Sequence, residues 1–294
     1  MNSRSCRWLI VSALLITASR AWAQQSAPPA SGQKDAAFSL WQGDRATTQC
    51  SAPKASDQKS ITAFKQQAAS GDAAAQCGLG LMYAQGTGVP QDDKQAAFWL
   101  RKAAEQGLAE AQGALGDLYA WGRGVPQDYA QAVLWTRKAA EQGDPSQFSL
   151  GLFYYYGEGV PQDYAQAAAW FRKAAEQGFA VAQCLLGDLY HKGQGVPQDD
   201  TQAAAWWRKA AELGWVDAQG KLGVSYRLGQ GVPQDYAEAY FWSDLAAAGK
   251  QEASQAEAVT KIRDEAASHL TPADLARVQE RARKWFEAHQ AKPQ

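Results

Sequence analysis

Gly159-Val160-Pro161-Gln162-Asp163 is one of five copies of a single pentapeptide; the others begin at Gly88, Gly124, Gly195 and Gly231. The starts are 36, 35, 36 and 36 residues apart. Self-similarity at this period means that one supersecondary unit, unable to bury its apolar face alone, has been stacked until its neighbours bury it. The chain is a repeat array.

Counting back from each proline defines the first half of the unit. Leu79, Leu115, Leu150, Leu186 and Leu222 stand eleven residues before it, and Tyr83, Tyr119, Tyr154, Tyr190 and Tyr226 stand seven before it. With a small residue fifteen before, these fall at i, i+4 and i+8, one face of a helix, here termed helix A. A glycine follows each leucine, at Gly80, Gly116, Gly151, Gly187 and Gly223. Glycine inside a helix costs about 1 kcal/mol relative to alanine, so its recurrence at one phase predicts close approach of a second helix. Glycines four before the proline suit the left-handed residue that closes a helix.

The aspartate of each pentapeptide, Asp92, Asp128, Asp163, Asp199 or Asp235, is followed three residues later by Gln or Glu, a capping-box arrangement that opens helix B. Helix B carries a tryptophan nine after the proline, at Trp99, Trp135, Trp170, Trp206 and Trp242. Aromatics at one phase of a helix are expected in the core. The pentapeptide is therefore turn chemistry rather than a ligand loop.

The whole pattern, Ala-Gln-x-x-Leu-Gly-x-x-Tyr-x-x-Gly-x-Gly-Val-Pro-Gln-Asp followed by Ala-x-x-Trp-x-Arg-Lys-Ala-Ala-Glu-Gln-Gly, resembles the Sel1-like repeat family, relatives of the tetratricopeptide arrays. The resemblance implies an all-α, right-handed α-solenoid of about five helix-turn-helix repeats over residues 72–249. Residues 57–71 read as an incomplete N-terminal repeat and 250–294 as C-terminal capping helices. There Thr271 is the N-cap, Pro272 lies in the first turn, and Leu275, Val278, Ala282 and Trp285 line one face.

At the start, Arg4 and Arg7 precede an apolar run from Trp8 to Ile16 and then Ala21-Trp22-Ala23, the form of a signal peptide cleaved after Ala23. The expected location is periplasmic or secreted. No later segment approaches the ~20 apolar residues needed to cross a bilayer. Residues 24–56 are rich in Ala, Ser, Gln and Pro and read as a flexible leader; its Phe38, Leu40 and Trp41 either dock on the first repeat or stay loose. Loss of residues 1–23 removes three arginines and no acid, taking the formal charge from −1 to −4. That argues against a nucleic-acid partner, which calls for a basic patch.

Little chemistry is encoded. His191, His269 and His289 have no second ligand at helical spacing, so no metal site and no cofactor is expected. Two Ser-x-x-Lys matches, Ser51 to Lys54 and Ser56 to Lys59, lie in or beside the leader without the companion motifs of penicillin-recognising enzymes, and no catalytic residues are assigned. Cys77 and Cys184 share a helix-A phase three repeats apart, beyond bridging distance. Cys50 could pair with Cys77; the alternatives are free thiols or an intermolecular bridge.

Residues that depart from the repeat point to a partner. Thirteen, nine and five before the proline, opposite the Leu/Tyr stripe, repeat two has Gly113, Asp117 and Trp121, and repeat four has Cys184, Asp188 and Lys192. Repeat three has Phe148, Leu152 and Tyr156, with Tyr155 beside them. Trp121, Phe148, Leu152, Tyr155 and Tyr156 are the candidate partner-binding residues, Trp121 and Tyr156 foremost. The other reading is burial against neighbouring A helices or the leader. The resemblance places helix A on the concave side and implies a protein partner. The expected function is an exported interaction scaffold of the cell envelope; the alternatives are an immunity protein neutralising a secreted toxin and, behind it, a β-lactamase-like or peptidoglycan-acting enzyme.

Overall fold

The computed structural model describes Cys50, residues 58–249 and residues 253–290. The expected signal segment and, apart from Cys50, the leader lie outside them. A single helix, α1 (Gln58–Ala69), precedes five helix pairs: α2 (Ala73–Gln85) and α3 (Asp93–Glu105), α4 (Ala109–Trp121) and α5 (Tyr129–Glu141), α6 (Ser146–Tyr156) and α7 (Tyr164–Glu176), α8 (Ala180–Lys192) and α9 (Asp200–Glu212), α10 (Val216–Leu228) and α11 (Tyr236–Ala248). Then come α12 (Ala253–Ser268) and α13 (Pro272–Gln290). From α1 to α12 each helix packs on its neighbours in sequence, and α13 folds back onto α11. The architecture is an all-α solenoid.

The recurring residues make the joints. Each helix A closes on a left-handed glycine, φ 74° at Gly157. The pentapeptide glutamine then donates its side-chain amide to a carbonyl in the last turn of that helix: Gln127 to Ala120 at 2.8 Å and Gln162 to Tyr155 at 2.8 Å. The aspartate caps helix B, Asp163 accepting from the amides of Ala165 and Gln166. Its own N–H goes to the Tyr154 carbonyl at 2.9 Å, and Asp92, Asp128, Asp199 and Asp235 do the same with their tyrosines. So half of the capping box is replaced: the preceding helix, rather than the N3 glutamine, takes the cap amide. The pentapeptide glycine has a further duty, since a side chain on Gly159 would collide with the backbone of Tyr129 in the repeat before.

Between repeats, polar ladders repeat as regularly. Gln112 reaches back to the Ala104 carbonyl and Gln183 to that of Ala175. Arg101 bonds the Tyr119 hydroxyl at 2.5 Å, and Arg137 the Tyr154 hydroxyl at 2.7 Å.

The core tryptophans need correction. Trp99, Trp135, Trp170 and Trp206 are half-buried, and lysine ammonium groups lie over their rings, Lys173 at 3.9 Å from the Trp170 centroid and Lys209 at 3.8 Å from that of Trp206. The buried position is the next one, Leu100, Thr136, Phe171, Trp207 and Ser243. It faces the helix-A glycine, which is the close approach those glycines predict. Trp242 alone of the five is buried, with Phe241 beside it, because α13 covers the end of the array through Val278 and Ala282. Thr271 caps α13, its hydroxyl accepting from the Asp274 amide at 3.2 Å.

Candidate partner-binding face

With the shared residues committed to joints, the helix-A phases that vary from repeat to repeat carry what is individual to this chain. Trp121, at the end of α4, is half-buried and packs against the cores on both sides of its repeat. Phe148, Leu152 and Tyr155 are half-buried around Phe171, with the Phe148 ring 5.7 Å from Phe171 and 5.1 Å from Phe179. Tyr155 meets Tyr156 edge-on at 5.0 Å and Tyr164 at 5.3 Å. Burial first, then the neighbouring Tyr156 and Asp188, push the Tyr155 hydroxyl up to about 12, so it stays a neutral donor. Three of the five candidates thus form one apolar cluster around Phe171; Tyr156 flanks it and Trp121 belongs to the repeat before.

Two residues on this side are absent from the sequence-based set. Leu228 occupies the phase of Trp121 and Tyr156 in the fifth repeat and is 52% exposed. Lys221 bridges repeats four and five, its ammonium 2.9 Å from Asp188 and 2.6 Å from Asp217, while the Trp207 indole donates to Asp188 at 3.0 Å. Burial alone would lower its pKa, but the carboxylates of Asp188 and Asp217 outweigh that and hold the ammonium charged well above the ordinary lysine range. The signal was present: the other repeats have Gly78, Ala114, Ser149 and Leu185 at this position.

Cys50 and Cys77 are bonded as a disulfide, with Cα atoms 5.4 Å apart, and the Cys50 amide donates to Glu110 on α4 at 3.0 Å. These three residues form the one cluster of potential metal ligands among the described residues. Its sulfurs are spent on each other, and metal binding needs thiolates. Cys184 is free and buried; burial pushes its thiol well above the ordinary range, which makes it an inert core residue.

His191 pairs with Asp200 at 2.7 Å, His269 stacks on Tyr236, and His289 stacks on Trp285. Both Ser-x-x-Lys serines lie outside the described residues. A shallow cavity of about 340 Å³ at the last repeat holds Arg208, Glu212, Tyr226, Glu238 and Arg281. There Arg208 donates to the Tyr226 hydroxyl and Arg281 pairs with Glu238. No helix among the described residues is long and apolar enough to cross a membrane.

Comparison with known proteins agrees with this architecture. The Sel1 repeat profile matches residues 73–108, 109–144, 145–179, 180–215, 216–250 and 268–288. The last span falls on α13, so the capping helix is itself repeat-like. A Sel1 repeat protein from Oxalobacter formigenes is 38% identical over 70% of this chain and 60% of its own, with a TM-score of 0.61. The chain therefore spans less than two thirds of that relative. A Sel1 repeat protein from Klebsiella pneumoniae is 25% identical over 70% of this chain and 98% of its own, at a TM-score of 0.41. An immunity protein from Pseudomonas aeruginosa is 20% identical over 72% and 81%, at 0.37. None of the curated proteins compared with the chain matches it.

Proposed function

The chain belongs to the Sel1 repeat family, whose arrays generally serve as protein-interaction scaffolds, and we propose that it is an exported scaffold holding a protein partner of the cell envelope on its helix-A face. One observation carries this reading. Trp121, Tyr156 and Leu228 share one helix-A phase, break the repeat, and keep part of their apolar surface open. Aromatics with few rotatable bonds are favoured interface anchors.

Export is supported by Arg4, Arg7, the short apolar run and Ala21-Trp22-Ala23, and the Cys50–Cys77 bond suits an oxidising compartment. Mass spectrometry of the protein recovered from its source cells should find Gln24 at the N-terminus. For the partner, the immobilised chain is presented with envelope and cytoplasmic extracts. An envelope protein retained by the native chain, and lost with Trp121→Ala plus Tyr156→Ala, is the expected result. Retention of a secreted toxin instead would turn the reading to immunity, and a protein that keeps Met1 and stays in the cytoplasm would remove the envelope altogether.

A further inference from the structure

The disulfide and its neighbour Glu110 bring together three separate segments: Cys50 precedes the array, Cys77 stands on α2 and Glu110 on α4. All three residues are buried, at 7%, 0% and 4% exposure. The two sulfurs and a Glu110 carboxylate oxygen lie within 4.8 Å of one another. A carboxylate this deeply buried is costly, and the repeat does not call for it, since Ala74, Pro145 and Val181 stand at the same place, sixteen residues before the proline, in repeats one, three and four.

Repeat five has Asp217 there, and the arrangement recurs around it. The Cys184 thiol of the repeat before donates to Asp217 at 3.5 Å, as Cys77 of the repeat before lies beside Glu110. Both cysteines stand thirteen residues before their proline. At the Cys184 junction a cation joins thiol and carboxylate: the Lys221 ammonium is 3.5 Å from the sulfur and 2.6 Å from Asp217. At the Cys77 junction the Lys221 position holds Ala114, no lysine of α4 supplies an ammonium, and the sulfur of Cys50 has come in instead.

We propose that reduction of the Cys50–Cys77 bond opens a site for a thiophilic divalent cation of the zinc class, with Sγ of Cys50, Sγ of Cys77 and a carboxylate oxygen of Glu110 as its ligands. A dithiol delivers two electrons and two protons to the disulfide and is itself oxidised to a disulfide, leaving two thiols. The cation then displaces both thiol protons and binds two thiolates, the ligand type that selects zinc over magnesium or calcium. Zinc holds thiolates at about 2.3 Å and carboxylate oxygens at about 2.0 to 2.2 Å in a tetrahedron, so its ligand atoms stand about 3.5 to 4 Å apart, with the fourth position open to water. The sulfurs reach that separation by side-chain rotation, since the Cα atoms are 5.4 Å apart. Charge balance favours the exchange: two thiolates and a carboxylate around a doubly charged cation carry the same net charge as Glu110 beside two neutral thiols, so binding adds none to the buried site. The metal replaces the covalent clamp, and the redox state of the surroundings decides which of the two ties Cys50 to repeats one and two. This site does not depend on the partner-binding reading.

The full chain from Gln24 onward is reduced with a phosphine, freed of reductant without air, and titrated with zinc against a chromophoric chelator. One equivalent should bind the reduced chain and none of comparable affinity the oxidised chain, and zinc should raise the melting temperature of the reduced chain alone. Cobalt in place of zinc should show thiolate-to-metal charge-transfer absorption, which reports sulfur ligands without any substitution. Cys184→Ser should bind as the native chain does. Glu110→Gln, which keeps an acceptor for the Cys50 amide, should weaken binding about ten-fold or more. No binding to the reduced chain, equal binding to both redox forms, cobalt spectra without the thiolate bands, loss of binding in Cys184→Ser, or an affinity indifferent to Glu110→Gln would each overturn the proposal.

Discussion

A Cβ added to Gly151 on α6 would stand 2.6 Å from the Phe171 ring on α7. The same relation recurs between Gly80 and Leu100 and between Gly187 and Trp207, so each glycine lets helix B approach at the width of whatever follows its tryptophan. Gly151→Ala gains about 1 kcal/mol of helix propensity and loses about 1 to 3 kcal/mol to overpacking. Net destabilisation in denaturant melts is expected. Gly220 is the control: its added Cβ would meet only Val259 at 3.4 Å and Ala246 at 4.0 Å, so Gly220→Ala should stabilise by about 0.5 to 1 kcal/mol. If both variants shift the midpoint the same way, close approach does not explain the glycines.

Phe171→Ala should cost about 3 to 5 kcal/mol, the range for removing a buried aromatic. Trp170→Ala should cost about 1 kcal/mol, because the ring is half-buried and its lysine contact is worth little at an exposed site. An equal loss from the two would return the tryptophan to the core.

This pair also marks the limit of what periodicity could decide. The pentapeptides, the closing glycines and the Asp caps fix the elements to within a residue or two, because each follows from local backbone chemistry. Whether Trp170 or Phe171 faces the glycine depends on how one helix rolls against another, a matter of about 100° that a single phase of aromatics leaves open. The repeat-like character of α13 was hidden for another reason: it lacks the pentapeptide, and its fit is visible only once Val278 and Ala282 lie against α11. On the candidate face Trp121 and Tyr156 stood out as breaks in a pattern. Lys221 broke the pattern too, but its two carboxylate partners come from different helices.

Lys221→Met should destabilise by about 3 kcal/mol, since it strands Asp188, 14% exposed, without its ammonium. The double variant Lys221→Met with Asp188→Asn should recover most of that. Burial would raise the pKa of Asp217, yet Lys221 outweighs it and holds the carboxyl below its ordinary value. A depressed carboxyl contributes stability above its unfolded pKa, about 4, and loses it as pH falls through the folded value. The stability gap between native chain and Lys221→Met should therefore narrow between pH 6 and pH 3. A gap that stays constant would mean the ion pair contributes nothing.

Removing the disulfide with Cys50→Ser and Cys77→Ser should cost about 2 to 4 kcal/mol where the two segments meet. Because stability in an array is a sum of local and nearest-neighbour terms, the effect belongs to α1, α2 and α3. Hydrogen exchange should quicken there and remain unchanged in α9 to α11. Uniform acceleration along the chain would show that the array unfolds as one unit.

Tyr156→Ala with Leu228→Ala should weaken binding of a captured partner by about 2 kcal/mol or more, as truncation of interface anchors does, with little change in melting. Leu228 is half exposed and Tyr156 lies at the edge of its cluster. A variant that melts early but binds normally would move the partner to another surface.

The last prediction concerns a break in a polar ladder. In the first three repeats the glutamine after helix B donates its amide to a glutamine at the start of helix A: Gln106 to Gln76 at 2.8 Å, Gln142 to Gln112 at 2.9 Å, Gln177 to Gln147 at 2.9 Å. In the fourth, Leu213 takes that place. It is 57% exposed, and the buried Oε1 of Gln183 is left without a donor. A buried acceptor with no partner costs about 1 to 3 kcal/mol, and a made hydrogen bond contributes about 1 kcal/mol net. Leu213→Gln restores the donor and removes an exposed apolar side chain, so the unfolding free energy from denaturant melts should rise by about 1 kcal/mol. A fall, or no change, would mean that water already satisfies Gln183 behind Leu213.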